Sequence, residues 1–302
     1  MISEAIPLKT TLLLVNPCSG QKKAKKQLCD IVEIFNRADY KVLTYITTCS
    51  GDGEAAAMNY ASQVERIVCC GGDGTFNETV SGILKSGIDV PVGYIPSGST
   101  NDFATSLQLS SDLLQAARDA AGGTPRRLDV GCFGGRYFTY VASFGAFTRT
   151  SFTTPQSMKN IMGHAAYVLS GIQELSQLRS HRLRFELNGG QVVEDDFIFG
   201  AISNSTSVGG VLTLAPDLVD MTDGMFELLL IRTPKDLFEL GECVRALQQK
   251  DYNCPMLTFL KTDCVTVFAP EDMPWTLDGE QEQGHREVSV QCLQQAIQVI
   301  TP

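Results

Sequence analysis

Val68-Cys69-Cys70-Gly71-Gly72-Asp73-Gly74-Thr75-Phe76-Asn77-Glu78 is a short apolar run that breaks into three glycines and then enters the helix-like segment Thr79-Val80-Ser81-Gly82-Ile83-Leu84. It reads as a strand ending in a phosphate loop. Glycines let the backbone approach a ligand closely, so successive N–H groups converge on an anion while the following helix presents its partly positive N-terminus. Asp73 inside such a loop would repel bare phosphate, and its placement makes sense if a divalent cation bridges carboxylate and phosphates. Gly72-x-Gly74-x-x-Asn77 lacks the third glycine of the dinucleotide fingerprint and no Gly-Lys-Ser/Thr follows, so it is neither a standard dehydrogenase loop nor a Walker A loop. An ordinary tight strand-to-helix turn is the competing reading.

Outward from this stretch the pattern alternates. Thr11-Leu12-Leu13-Leu14-Val15 is a buried parallel strand by its continuous apolar run, and it breaks at Asn16-Pro17-Cys18-Ser19-Gly20. A helix follows from Gln21 to Asn36, apolar at Leu28, Ile31, Val32 and Phe35, with Lys22, Lys23, Lys25 and Lys26 in its first turns. Cations there oppose the helix dipole. The cluster is either a solvated face or a contact for nucleotide phosphate or anionic lipid. Lys41–Ile46 is a second strand, Gly53–Ser62 an alanine-rich helix, and Val90–Pro96 a fourth strand broken by Ser97-Gly98-Ser99-Thr100-Asn101-Asp102-Phe103-Ala104. Strands alternating with helices indicate a doubly wound parallel sheet, which puts all three unusual loops on the rim at the carboxyl ends of the strands.

Helix-like Asp112–Ala121 leads to Gly122-Gly123-Thr124-Pro125, the best boundary candidate, giving domains 1–124 and 125–290. Beyond it the segments Arg126–Phe133, Tyr137–Val141, Arg182–Leu187, Asp196–Gly200, Met225–Ile231, Cys264–Phe268, Trp275–Asp278 and Val288–Val290 are strand-like, with Asn188-Gly189-Gly190 as a hairpin turn. This half reads as an antiparallel β domain. One long helix, Pro155–Leu178, interrupts it with an apolar stripe that packs on the sheet or lines an apolar substrate site.

Composition narrows the function. With 43% hydrophobic and 19% charged residues, the 302-residue chain has an ordinary globular balance that suits two medium domains. A formal net charge of −10 argues against general nucleic-acid binding, while a local basic patch for a membrane surface stays open. Ten cysteines are scattered without a C-x-x-C pair, and neither a signal-peptide h-region nor an apolar stretch of about 18 residues is present. These features predict a reduced, cytoplasmic protein without a membrane span. His164, His181 and His285 have no metal-ligand spacing.

Taken together, Asn16-Pro17-x-Ser19-Gly20, Gly71-Gly72-Asp73-Gly74-Thr75-x-Asn77-Glu78, Gly98-Ser99-x-Asn101-Asp102-Phe103-Ala104, Leu128-Asp129-Val130-Gly131 and Asp278-Gly279-Glu280 resemble the diacylglycerol-kinase catalytic family, above all its soluble bacterial members. The resemblance runs in order over nearly the whole chain. It implies an NAD kinase/phosphofructokinase-like α/β nucleotide domain, a β-sandwich-like second domain with the active site in the cleft between them, and residues 291–302 returning to the first domain. It implies that Gly72, Gly74 and Thr75 hold ATP phosphates with Asn16, Ser19 and Gly20, and that Gly98, Ser99 and Thr100 complete the nucleotide site. Asp73, Asp102, Asp129 and Glu280 match carboxylates that organise the catalytic magnesium, and Asp278 matches the general base. Asp-Gly is also the commonest hairpin-turn signal. Asp220-Met221-Thr222-Asp223-Gly224-Met225 resembles a structural cation loop, with the Asp223 carboxylate and the carbonyls of Asp220 and Met225 as ligands for Mg²⁺ or Ca²⁺; a plain Asp-Gly turn is the alternative.

The implied function is an ATP- and Mg²⁺-dependent lipid kinase acting at a membrane surface by peripheral contact, with diacylglycerol as the acceptor. Phosphatidylglycerol or a sphingoid base is the rival acceptor, a nucleotide or lipid sensor on the same fold the rival class, and a homodimer is compatible with the sequence.

Overall fold

In a computed structural model of the chain, the structure describes residues 9–20, 23–145, 179–208 and 212–302. The expected helix over 155–178 lies outside them, as do Gln21 and Lys22. The chain forms two compact units, Met1–Val130 with Leu293–Pro302, and Gly131–Cys292. The changeover expected after Thr124 falls at Val130, inside the unbroken strand Thr124–Phe133.

In the first unit, β1 (Lys9–Val15), β2 (Tyr40–Ile46), β3 (Arg66–Gly71) and β4 (Val92–Pro96) form a parallel sheet in the order β2-β1-β3-β4. The runs of Leu and Val that signalled β1 are buried, with Leu12, Leu13 and Leu14 all at 0% exposure. Helices α1 (Lys23–Lys26), α2 (Leu28–Arg37), α3 (Asp52–Tyr60) and α4 (Asp73–Ser86) connect these strands, and α5 (Asp102–Ser106) and α6 (Leu113–Gly122) follow the last of them. Ile31 and Phe35 of α2 and Ala116, Ala117 and Ala120 of α6 join Leu13, Val15, Val68, Cys70 and Ile95 in one core.

The single helix expected from Gln21 to Asn36 is two among the described residues, because Gln27 leaves helical geometry at φ −104° and ψ 11°. Helix α4 begins at Asp73 rather than after the glycine loop, with Gly72 extended before it. An acidic residue in the first turn favours that early start through the helix dipole.

The second unit is antiparallel. Strand β5 (Thr124–Phe133) enters it and pairs with β6 (Arg136–Phe138). The strands β7 (Val141–Gly145), β8 (His181–Leu187), β9 (Val192–Ser203), β10 (Ser207–Val208), β11 (Leu212–Thr213), β12 (Phe226–Arg232), β13 (Leu257–Thr262), β14 (Cys264–Phe268), β15 (Trp275–Leu277), β16 (Glu280–Glu282) and β17 (Glu287–Thr301) follow in sequence. Along the sheet the order is β16-β15-β7-β9-β8-β14-β17, with β12 and β13 branching from β9. Phe144, Phe185, Phe197, Phe226 and Trp275 fill its core. Asn188-Gly189-Gly190 turns between β8 and β9 as expected, with φ of 88° and 84° at the two glycines.

Three elements depart from expectation. Tyr137–Val141 is not one strand but the end of β6 and the start of β7, parted at Thr139 and Tyr140. Helix α7 (Leu237–Gln249) was not expected, although Asp236-x-x-Glu239 is a capping signal. The Asp236 side chain accepts from the Glu239 N–H at 2.9 Å, and the Glu239 carboxylate accepts from the Lys235 N–H at 2.7 Å. Strand β17 extends far beyond Val288–Val290: its first part pairs with β14, and Val299 pairs in parallel with Val92 of β4 in the first unit.

Candidate active site

In the first unit β1, β3 and β4 are neighbouring parallel strands, so the segments leaving their carboxyl ends share one rim, and hydrogen bonds tie them together. The Asn16 amide donates to Thr75 Oγ1 at 2.9 Å, and the Ser97 hydroxyl to Ser19 Oγ at 3.1 Å. The Ser97 N–H donates to the Gly71 carbonyl at 2.8 Å. The backbones lie so close that a Cβ on Gly98 would stand 2.6 Å from the Gly72 Cα, and one on Gly20 would stand 2.3 Å from the Ser97 oxygen. Gly74 and Thr75 fall in the first turn of α4, whose N–H groups have no intrahelical acceptor and suit a phosphate. Ser99 and Thr100 lie in the loop between Gly98 and Asn101.

Asp73 and Asp102 meet here. The Asp73 carboxylate accepts from the Asp102 N–H at 3.0 Å, and the Tyr94 hydroxyl donates to its other oxygen at 3.3 Å. Asn101, at φ 54°, caps the same loop by exchanging hydrogen bonds with Gly98 at 3.0 and 3.1 Å. Asn tolerates this left-handed conformation better than most residues. Asp102 is buried at 6% exposure. Asp129, at 0% exposure on β5, accepts from the Gln295 N–H at 2.6 Å. Glu78, part of the glycine motif, turns away to the N-terminus of α3, accepting from the N–H groups of Gly51 and Gly53 at 2.7 and 3.1 Å.

The second unit holds the other two acids. Asp278 and Gly279 form the two-residue turn of the β15–β16 hairpin, with φ of 49° and 83°, so the turn reading of Asp-Gly holds. The same aspartate is buried at 5% exposure. Its Oδ1 accepts the N–H groups of Tyr140 and Val141, both at 3.0 Å, and its Oδ2 accepts the N–H and hydroxyl of Thr139 at 2.5 and 2.8 Å. That is why the chain bends between β6 and β7: the bend aims three amides at one carboxylate. Burial pushes the Asp278 pKa up against these donors, which favour the anion. Two residues on, Glu280 is paired with Arg136 Nη2 at 2.7 Å, while Arg136 Nη1 holds Glu282 at 2.7 Å.

In the Asp220–Met225 loop, Asp220 Oδ1 accepts from the Thr222 N–H and hydroxyl at 3.0 and 2.7 Å. Asp223 Oδ1 accepts from the Met225 N–H at 2.9 Å, and its Oδ2 accepts from Lys261 Nζ at 3.0 Å. Next to it Glu227 is fully buried, and burial pushes its pKa up to about 7 in spite of Lys261.

The geometry gives a glycine-lined, acid-bearing loop cluster in one unit and a fixed buried carboxylate in the other. Residues 10–133 match the diacylglycerol kinase catalytic domain, and residues 141–301 match the YegS C-terminal NAD kinase beta sandwich-like domain. The chain belongs to the diacylglycerol kinase catalytic family. Its relatives include a diacylglycerol kinase of Bacillus subtilis strain 168, 33% identical over 275 residues that cover 90% of both chains. A diacylglycerol kinase of Staphylococcus carnosus strain TM300 is 29% identical over 296 residues, covering 97% of this chain and 95% of the relative. A crystal structure of a diacylglycerol kinase from Bacillus anthracis strain Sterne shares the fold, with a TM-score of 0.75 at 21% identity over 99% of this chain and 98% of that one.

Within this family member, several supporting residues escaped the sequence reading. Tyr94 lies in the strand before the Gly98 loop and Ser97 opens that loop with no role expected of it, and Thr139 and Arg136 lie far in sequence from the hairpin they serve. Only Ser97, beside Gly98, stood next to a signal that could have found it.

Proposed function

We propose that this chain is an ATP- and Mg²⁺-dependent lipid kinase that moves the γ-phosphate of ATP to the hydroxyl of diacylglycerol, giving phosphatidic acid. The observation that carries this is the close approach of Gly72 and Gly98 beside Asp73, a cradle that any side chain at either glycine would fill. The residues fit a nucleotide: Gly72, Gly74, Thr75, Gly98, Ser99 and Thr100 offer backbone and hydroxyl donors, with Asn16, Ser19 and Gly20 bracing them from β1. Magnesium, when bound, neutralises phosphate charge and is held with few direct protein ligands. Asp73, Asp102, Asp129 and Glu280 are the carboxylates assigned to it, directly or through water.

Asp278 is assigned as the base that takes the proton of the lipid hydroxyl. Its raised pKa favours proton uptake, but each of its oxygens already accepts two hydrogen bonds, so one donor must give way. The Thr139 hydroxyl is the donor free to rotate, whereas the three amides are fixed in backbone. Among the described residues no helix is long and apolar enough to cross a membrane, and the enzyme is assigned a cytoplasmic place with peripheral contact to the lipid surface.

The test is transfer of labelled γ-phosphate from ATP with magnesium to diacylglycerol, phosphatidylglycerol and a sphingoid base in mixed micelles, beside Asp278→Asn. Label in diacylglycerol alone, lost in the variant, is expected. Label in another lipid corrects the acceptor, and full activity of Asp278→Asn removes Asp278 from the chemistry. Tight ATP binding with no labelled lipid would leave the sensor reading standing.

A further inference from the structure

The loop Asp220–Met225 resembles a structural cation site, yet its one side-chain ligand, the Asp223 carboxylate, already faces a cation. Both oxygens of Asp223 are engaged, Oδ1 by the Met225 N–H at 2.9 Å and Oδ2 by Lys261 Nζ at 3.0 Å. A divalent ion on Asp223 would sit about 2.0–2.6 Å from an oxygen and would share that space with an ammonium group of like charge. Lys261 is not a chance surface neighbour. It stands directly opposite Glu227 in the β12–β13 register, and its Nζ lies 3.4 Å from Glu227 Oε1.

Glu227 is what makes this cation necessary. It has 0% exposure, and neither of its carboxylate oxygens has a hydrogen-bond partner. A buried acid without hydrogen bonds is costly, and Lys261 Nζ stands beside this one at 3.4 Å. The lysine ammonium stands between the two acids, hydrogen-bonded to Asp223 in the loop at 3.0 Å and ion-paired with Glu227 in the sheet at 3.4 Å.

We propose that Lys261 is the resident cation of this site, holding the Asp220–Met225 loop to β12 in place of a divalent metal. The fold of this chain is then indifferent to divalent ions, and any metal dependence of the enzyme belongs to the nucleotide site.

The experiment is thermal unfolding of the full chain at pH 8 without nucleotide, in EDTA and in millimolar Mg²⁺ or Ca²⁺, for the wild type, Lys261→Arg, Lys261→Met, Lys261→Met/Glu227→Gln and Asp223→Asn. The wild type and Lys261→Arg should unfold at the same midpoint with and without the ions. Lys261→Met should unfold roughly 5–10 °C lower in EDTA, as expected for stranding a buried charge. Added Ca²⁺ or Mg²⁺ should recover part of that loss, and the double variant should recover part of it in EDTA with no ion present. A wild-type midpoint that rises by several degrees on adding an ion, with the rise abolished in Asp223→Asn, would overturn the proposal by placing a metal beside Lys261. An unchanged Lys261→Met midpoint in EDTA would overturn it too. If Lys261→Met does not fold, the wild-type, Lys261→Arg and Asp223→Asn arms still decide. None of these readouts depends on lipid or phosphotransfer, so their failure leaves the kinase reading untouched.

Discussion

Thr139 offers the sharpest residue-scale test of how Asp278 works. Its hydroxyl donates to Asp278 Oδ2 at 2.8 Å, and replacing it with Val keeps the shape and the N–H while removing one donor that favours the anion. The Asp278 pKa is already raised, so Thr139→Val should raise it further, and the acidic limb of the kcat–pH profile should move to higher pH. A limb that stays in place would mean that another group sets it. The nucleotide cradle is tested by Gly98→Ala. Its Cβ would meet the Gly72 Cα at 2.6 Å, backbone against backbone, so a loss of ATP affinity of at least about tenfold in a direct binding titration is expected. Gly122→Ala is the matched control: nothing lies within 4 Å of its Cβ, and in a helix it should be neutral or stabilising by up to about 1 kcal/mol.

At the scale of single elements, Asp52 shows how a helix start is charged. Its carboxylate accepts from the hydroxyl and N–H of Thr48 and from the N–H of Cys49, which hold its pKa down at about 2. The folded pKa lies below the unfolded value of 3.8, so this support for α3 is present above that pH and lost as pH falls through about 2. Carbon-detected NMR titration of Asp52 checks it; a midpoint near the ordinary value would refute the bonding pattern. At α7, Asp236→Ala should cost about 1 kcal/mol in chemical unfolding through loss of the N-cap. These two helices also show what a sequence reveals. Continuous apolar runs made β1, β3 and β4 legible, and glycines marked the loops after them because only glycine permits the backbones to approach as Gly72 and Gly98 do. Helix α7 was missed although Leu237, Leu240, Val244 and Leu247 recur at helical spacing, because the segment sits among strands in a half read as all β. The hydrogen bonds from Thr139 to Asp278 and from Tyr94 to Asp73 were illegible for another reason: each joins residues whose nearness only the folded chain creates.

For the whole molecule, strand β17 is the element that local reading shortened most. Ile297, Val299 and Ile300 are buried at 2%, 0% and 2% exposure in the first unit, and each such side chain is worth about 1.5–3 kcal/mol. Removing residues 293–302 should therefore cost about 5 kcal/mol or more, comparable with the whole stability of a domain, at about 5–15 kcal/mol. Hydrogen exchange on the shortened chain should show lost protection in β1, β3 and β4 and retained protection in β8 and β9. Equal protection throughout would show that the parallel sheet stands without its last strand. The pairing of Val299 with Val92 also sets a schedule for biosynthesis. The ribosome delivers every residue of the second unit before it delivers the strand that completes the first. The N-terminal half therefore waits, with an edge of β4 uncovered, while the later half emerges and folds, and a chaperone that shields exposed strand edges would act in that interval.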